Sequence, residues 1–308
     1  MRAARVRVVL VLKASSLSDN LRAILLMIVA MAGFAIEDMC IKFASPPVPQ
    51  GQVLLMLGLG GLPVFALLAW LQGTTLWQPG FLQPAVLGRN LGEMAGTAGF
   101  IMAITLVPLT TASALFQALP LAVTAGAAVF FGERVGWRRW SAISLGFVGV
   151  LVILRPGLVG FDPNALWAVL AVVGLGARDL LTRAIPRSLT VLVLAGWGFA
   201  VVALLGAIML AITGGAVWPP PRALAALAGA LVCGIVAYVT LTMSLRTGDI
   251  SAVTPFRYSR IVFALLIGMA VFGERPDTWT WAGMALILAS GLYAIWRERA
   301  LSKAAPLR

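Results

Sequence analysis

Eight charged side chains within the long apolar runs of this 308-residue chain stand out as candidates for chemistry, since a charge there has little water to hold it. They are Glu37, Asp38, Lys42, Glu93, Arg178, Asp179, Arg257 and Arg260. Ionisable groups inside a membrane-spanning run are costly and are functional candidates by default. Counting residues from the ends of the runs puts Glu93, Arg178, Asp179, Arg257 and Arg260 about 9–15 Å from one surface, at roughly 1.5 Å per residue. That layer sums to +1 and holds arginines whose forked guanidinium suits a carboxylate. Glu37, Asp38 and Lys42 fall nearer the opposite surface, where they are candidates for a gate or for coupling to a cation. Three readings of these charges stay open: structural pairs that fix helix packing, arginines snorkelling to the surface, and a gate with a spare arginine for a substrate carboxylate. Phe116, Gln117, Tyr238 and Tyr258 complete the candidate substrate site, with hydrogen bonds from the amide and ring contacts from the aromatics.

The chain contains no histidine, which removes imidazole acid–base catalysis, histidine-ligated metals and a histidine proton relay. Cys40 and Cys233 make no CxxC motif. There is no HExxH, GxSxG or paired aspartate-rich motif, so an intramembrane enzyme lacks its clustered groups. No metal and no cofactor is called for. A membrane scaffold is the third class; it predicts no solute flux and gives no reason for charges at matching depth.

The elements that must position these residues follow from composition. Hydrophobic residues make up 61% of the chain and charged residues 11%, against about 45–50% and 25% in soluble domains. The chain therefore uses lipid as its solvent. Ten runs are long enough to span: 21–44, 51–71, 84–106, 111–131, 137–154, 163–184, 190–212, 222–245, 251–272 and 278–296. Prolines at 46, 47, 49, 79, 84, 156, 163 and 219–221 punctuate them. Pro63, Pro120 and Pro255 fall inside spans, where they free a carbonyl. The glycines at 92, 96 and 99 share one helical face and permit close packing. Most tryptophans fall near span ends as an interfacial belt, with Trp197 the exception.

The net charge of +12 has a topological explanation. With both termini inside, sixteen lysines and arginines lie on the inner side, from Arg2, Arg5, Arg7, Lys13 and Arg22 through Arg89 to Arg308. Four lie on the outer side: Lys42, Arg155, Arg222 and Arg275. Nucleic acid is not needed to explain the charge. The short run from Val8 to Leu12 reads as part of a basic cytoplasmic tail, not as a signal peptide.

The two halves of the chain repeat at one offset. Phe131-Gly132-Glu133-Arg134 returns 141 residues later as Phe272-Gly273-Glu274-Arg275. Trp140 matches Trp281, Gly33 matches Gly174, Asp38 matches Asp179 and Lys42 matches Arg183 at the same offset. Five spans per copy is odd, so the second copy enters the membrane inverted. That arrangement is typical of secondary transporters. The units are a tail at 1–20, a first repeat at 21–156, an inverted second repeat at 157–298 and a tail at 299–308.

Gly33 to Lys42 (GFAIEDMCIK) resembles the first-helix motif of the drug/metabolite transporter superfamily. Val107-Pro108-Leu109-Thr110-Thr111-Ala112-Ser113-Ala114 resembles its third-to-fourth helix junction, followed by Pro120, the Gly-Glu-Arg loop and Gly146/Gly149. Together these are similar to the ten-helix EamA type, including its aromatic amino acid exporters, over nearly the whole chain. The resemblance implies an all-α membrane protein, with helices one to four and six to nine around a central cavity and helices five and ten outside. It implies export of amino acids or other small metabolites; separately, the chain is expected to be a monomer. Glu37-Asp38 and the segment Pro255 to Arg260 depart from the usual pattern, which leaves the substrate open. Efflux of lipophilic cations through Glu37, Asp38 or Glu93 is the alternative.

Overall fold

The structure is a computed structural model that describes residues 17–133, 135–186, 188–247 and 253–304. The tail charges Arg2, Arg5, Arg7, Lys13 and Arg308 lie outside the described residues, as do Arg134 and Arg187. Among the described residues every regular element is helical. They are α1 (Leu17–Ala44), α2 (Gln50–Leu71), α3 (Pro84–Leu106), α4 (Leu109–Phe116), α5 (Leu119–Phe131) and α6 (Trp137–Leu154) in the first half. The second half holds a 3-10 turn (Pro163–Ala165), α7 (Leu166–Arg183), α8 (Val191–Thr213), α9 (Pro221–Thr247), a second 3-10 turn (Thr254–Tyr258), α10 (Ser259–Phe272) and α11 (Thr278–Ala304).

Helix is the expected outcome, since lipid leaves backbone groups no other partner. Where the helices start and stop follows the residues. Pro84 and Pro221 each open a helix, at positions whose N–H would be unbonded anyway. Gly132 and Gly273 end α5 and α10 in the left-handed region, both at φ +64°, where a side chain would clash. These two caps are 141 residues apart, and so are their hydrogen bonds. Glu133 N–H donates to the Ala127 carbonyl, and Glu274 N–H donates to the Gly268 carbonyl.

Ten spans result, because α4 with α5 forms one and the second 3-10 turn with α10 forms another. Nine are long and apolar enough to cross a membrane among the described residues. The remaining one, α3, is 23 residues long but carries Arg89, Asn90 and Glu93. The two broken spans break at the same register. The fourth is interrupted at residues 117–118, and the ninth changes from 3-10 to α at 258–259. The offset of 141 carries Gln117 onto Tyr258.

Helix packing repeats the same symmetry. α1 packs along α9 and α3 along α7, two pairings that exchange under the repeat, while α2 packs on α8 and α6 on α11. α6 and α11 pack mainly on each other, apart from the other eight spans, as the family resemblance implied. Gly96 and Gly174 cross closely: a Cβ on Gly174 would lie 2.4 Å from the Gly96 nitrogen. Large apolar side chains such as Val29, Phe130, Val173 and Ile212 face outward, as lipid contact requires. Trp70, Trp77, Trp137, Trp218, Trp279 and Trp296 are exposed near span ends.

Candidate functional site

The charged residues of the interior spans meet at the centre of the bundle, and most are already paired. On α1, Asp38 is 1% exposed. It accepts two hydrogen bonds from Arg260 Nη2, at 2.9 and 2.7 Å, and one from Nε at 3.2 Å. The Arg260 guanidinium also lies 5.3 Å from the ring centres of Phe34, Phe100 and Phe116, a contact that attracts cations. Counting along the spans placed Asp38 and Arg260 in different layers; the structure brings them together. The physical reason is the length of the arginine side chain and the direct packing of α10 on α1.

A second cluster joins α3 to α7. Glu93 accepts from Arg89 Nη2 at 3.0 Å and from Arg178 Nη1 at 3.1 Å. Arg178 also donates to Asp179 through Nε at 2.9 Å. Arg89 is a residue that sequence reasoning missed. It counted among the loop charges, yet it is 8% exposed inside α3 and packs beside Gly198 of α8. The signal was present: Arg89 and Glu93 are four residues apart and so share a helix face.

Two of the predicted site residues have no such partner. No carboxylate lies within ion-pair distance of Arg257 among the described residues, and its side chain is accessible. It stands within electrostatic reach of Asp179, Arg178 and Arg260. Glu37 is half-buried against Gly234 of α9, where a Cβ would lie 2.6 Å from its Oε1. No lysine or arginine nitrogen among the described residues pairs with it.

The aromatic and amide candidates divide. Phe116 is engaged by Arg260 and by Phe100, 4.9 Å away. Gln117 is buried in the break of the fourth span. Tyr238 meets Phe65 edge-on at 5.3 Å, and Phe65 stacks on Phe199 at 5.1 Å. Tyr258 corrects the expectation. It is 5% exposed and its hydroxyl packs over Gly291 of α11, the outlying helix, so its place on the 3-10 turn carries it away from the centre. Trp197 belongs inside its span, held by Nε1 donating to the Leu76 carbonyl at 2.9 Å and by stacking on Phe81. Cys40 and Cys233, remote in sequence, are free thiols on the neighbouring helices α1 and α9.

Ion pairs related by the repeat stand toward the two ends of the bundle. Lys42 meets Glu274 at 3.3 Å and donates to the Val107 carbonyl at 2.7 Å. Glu274 also accepts the backbone N–H groups of Leu109 and Thr110, at 2.6 and 2.9 Å, and so caps the start of α4. At the other end Arg183 meets Glu133 at 2.9 Å. Lys42 maps onto Arg183 and Glu133 onto Glu274 at the single offset, so the two bridges are one bridge seen twice. They are unequal. The side chains of Lys42 and Glu274 are 16% and 9% exposed, while Arg183 and Glu133 are both 51% exposed. Residues 250–251, which correspond to 109–110, lie outside the described residues.

The sequence profile of the EamA-like transporter family matches this chain twice, over residues 21–155 and 163–296. The chain belongs to that family. The two matches fall on the two halves whose helices exchange under the pseudo-symmetry, so the transporter is an inverted pair of five-span repeats around a central cavity. A riboflavin transporter of Rhizobium johnstonii is 32% identical over 219 residues, 69% of this chain and 70% of that protein. An S-adenosylmethionine uptake transporter of Rickettsia bellii is 26% identical over 70% of this chain and 74% of its own. The pseudopaline exporter CntI of Pseudomonas aeruginosa is 27% identical over 87% of this chain and 93% of its own. A solved structure at 19% identity shares the fold, with a TM-score of 0.59 over 91% of this chain and 98% of that one.

Proposed function

We propose that this transporter is a secondary carrier of the cytoplasmic membrane that exports small organic metabolites bearing an acidic group, amino acids and especially aromatic ones. The observation that carries the reading is Arg257, a guanidinium inside the bundle that is accessible and has no carboxylate partner among the described residues. A lone cation at this depth is costly, and a substrate carboxylate or similar anion relieves the cost. Arg260 serves differently. Asp38 and three phenylalanine rings hold it, which makes it a positioning residue beside the site.

Arg257 belongs to the 3-10 turn that opens the ninth span, and its counterpart Phe116 ends α4 at the break of the fourth. Carriers built from inverted repeats place substrates at such helix discontinuities. The clusters of Phe65 with Phe199 and Tyr238, and of Trp77, Phe81 and Trp197, suit a flat ring. Riboflavin and S-adenosylmethionine, named for two of the relatives, both contain one. The name of the relative matched over 87% of this chain supports export. The excess of lysine and arginine at the face holding the start of α1 and the end of α11 supports a cytoplasmic position for that face. The two unequal bridges support alternating access, with the Lys42–Glu274 end closed and the Arg183–Glu133 end loose.

The test is flux in liposomes containing the purified protein, with and without an imposed proton gradient. Arg257→Gln is expected to cut the flux of labelled aromatic amino acids about tenfold or more, consistent with loss of a charge-assisted hydrogen bond. Undiminished flux in that variant refutes the acidic-group reading. Glu37 favours a second reading, efflux of lipophilic cations, which Arg257→Gln would leave intact.

A further inference from the structure

Three buried hydroxyls among the described residues have no hydrogen-bond partner, those of Thr110, Ser113 and Tyr258, and all three belong to the two broken spans. Helical hydroxyls elsewhere donate to a carbonyl about one turn back, as those of Thr105, Thr124, Thr182, Thr240 and Ser290 do. A buried polar group without a partner costs free energy, so folds keep few of them and each calls for an explanation. We propose that Thr110 and Ser113 bias the carrier toward opening: they are shut away from solvent in the closed state and are wetted when α4 and α10 part on the Lys42–Glu274 side, where they line the passage. This rests on the carrier reading above and goes beyond it, since it assigns the seam along which that face opens.

The placement follows from the helix faces. Thr110 and Ser113 stand three residues apart on one face of α4, and they are 1% and 4% exposed. A Cβ on Gly268 of α10 would lie 2.6 Å from Thr110 Cγ2 and 2.6 Å from Glu274 Oε2. The threonine is therefore packed against α10 beside the carboxylate of the end bridge. Ile261, Ala264, Leu265 and Gly268 share the buried face of α10, and none of them has a polar side chain to offer. The Val107 carbonyl, three residues before Thr110, is engaged by Lys42. Gln117, one turn beyond Ser113 on the same face, ends the polar stripe at the break of the fourth span.

The energetics set a sign. In the closed state Glu274 ties the start of α4 to the end of α10, accepting the N–H groups of Leu109 and Thr110 and pairing with Lys42. The two hydroxyls pull the other way. Opening breaks the bridge but returns both hydroxyls to water, so part of the loss is offset and the two states stay close enough to interchange. A seam that was apolar throughout would hold shut. Removing the hydroxyls therefore favours the closed state, each by about tenfold in the ratio of open to closed. A purely structural role predicts the reverse, a weaker closed fold.

The experiment uses the full-length protein in liposomes, with Cys40 and Cys233 replaced and a single cysteine at residue 117. It reads the rate of labelling by a membrane-impermeant maleimide from the Lys42 side. Thr110→Val together with Ser113→Ala removes both hydroxyls with little change of shape. Labelling is expected to slow about 10- to 100-fold, while the thermal unfolding midpoint in detergent stays at or above that of the parent. Thr110→Ser, which keeps the hydroxyl, should label close to the parent rate. Unchanged or faster labelling of the double variant overturns the proposal. So does a lower unfolding midpoint, or failure to fold, because either means that the hydroxyls are satisfied in the closed state, by bound water or otherwise. Equal slowing in Thr110→Ser overturns it too, as does a parent that stays unlabelled even with Glu274→Gln. Labelling needs no substrate, so these outcomes are separable from the carrier reading, which stands or falls on flux alone.

Discussion

Asp38 and Arg260 show what an ion pair does when it is sealed inside a membrane protein. Three hydrogen bonds from one guanidinium and three surrounding rings leave Asp38 buried and Arg260 only 15% exposed. Such a pair is weak evidence for net stability, because desolvating both charges consumes most of the attraction. Removing one partner is a different matter, since it strands the other. Asp38→Asn is expected to destabilise the protein by about 3–5 kcal/mol, and replacing Arg260 by Met in the same chain should restore most of the loss. Thermal unfolding in detergent measures both. A double variant as unstable as the single one would show that the pair is worth far more than its geometry suggests. The residue types of this pair were legible in the sequence, and so was their presence at depth. Their partnership was not, because depth counted along each span ignores the reach of a long side chain between spans.

At the scale of helices, the two crossings that the repeat relates are not equally tight. α3 meets α7 glycine to glycine at Gly96 and Gly174, whereas the corresponding crossing of α1 and α9 joins Gly33 to Ala237. A Cβ at Gly33 would find Ala237 Cβ at 3.0 Å, a contact that a small shift relieves; at Gly174 it would meet backbone at 2.4 Å. Gly174→Ala should therefore cost about 1–3 kcal/mol, the usual penalty of overpacking, and Gly33→Ala clearly less. Equal effects in unfolding experiments would contradict the tight crossing. The stripe of Gly92, Gly96 and Gly99 announced close packing in the sequence, but the partner helix was out of reach of any one-dimensional reading. The break in the fourth span was legible only in part: Pro120 marks a freed carbonyl, but only the helix itself shows that the interruption falls at Gln117, in register with the 3-10 turn of the ninth span.

The whole molecule carries its two end bridges in different states. Lys42–Glu274 is sealed and caps a helix, and breaking it should loosen that face. Arg183–Glu133 is half-exposed, and a bridge of that kind contributes about 0–1 kcal/mol. Glu274→Gln is expected to admit a membrane-impermeant maleimide from the Lys42 side to a cysteine placed at residue 117, in a chain with Cys40 and Cys233 replaced. Glu133→Gln should leave labelling nearly unchanged. Equal responses to the two changes would mean that the bridges do not distinguish the two faces.

Solvent, span count and inverted duplication are properties of the amino-acid sequence by itself. Lipid demands long apolar runs, and an odd number of spans per copy forces the inversion, so no contact needs to be known. The matched positions 42, 183, 133 and 274 were also readable there. What only the tertiary structure decided is which of the charges are already neutralised. Asp38, Glu93, Asp179 and Glu274 find cations on other helices or on the next residue of their own, and Tyr258 leaves the centre for Gly291. Whether an ionic side chain is paired or left for a ligand depends on a few ångströms between side chains from different spans, a distance that no spacing along the chain encodes.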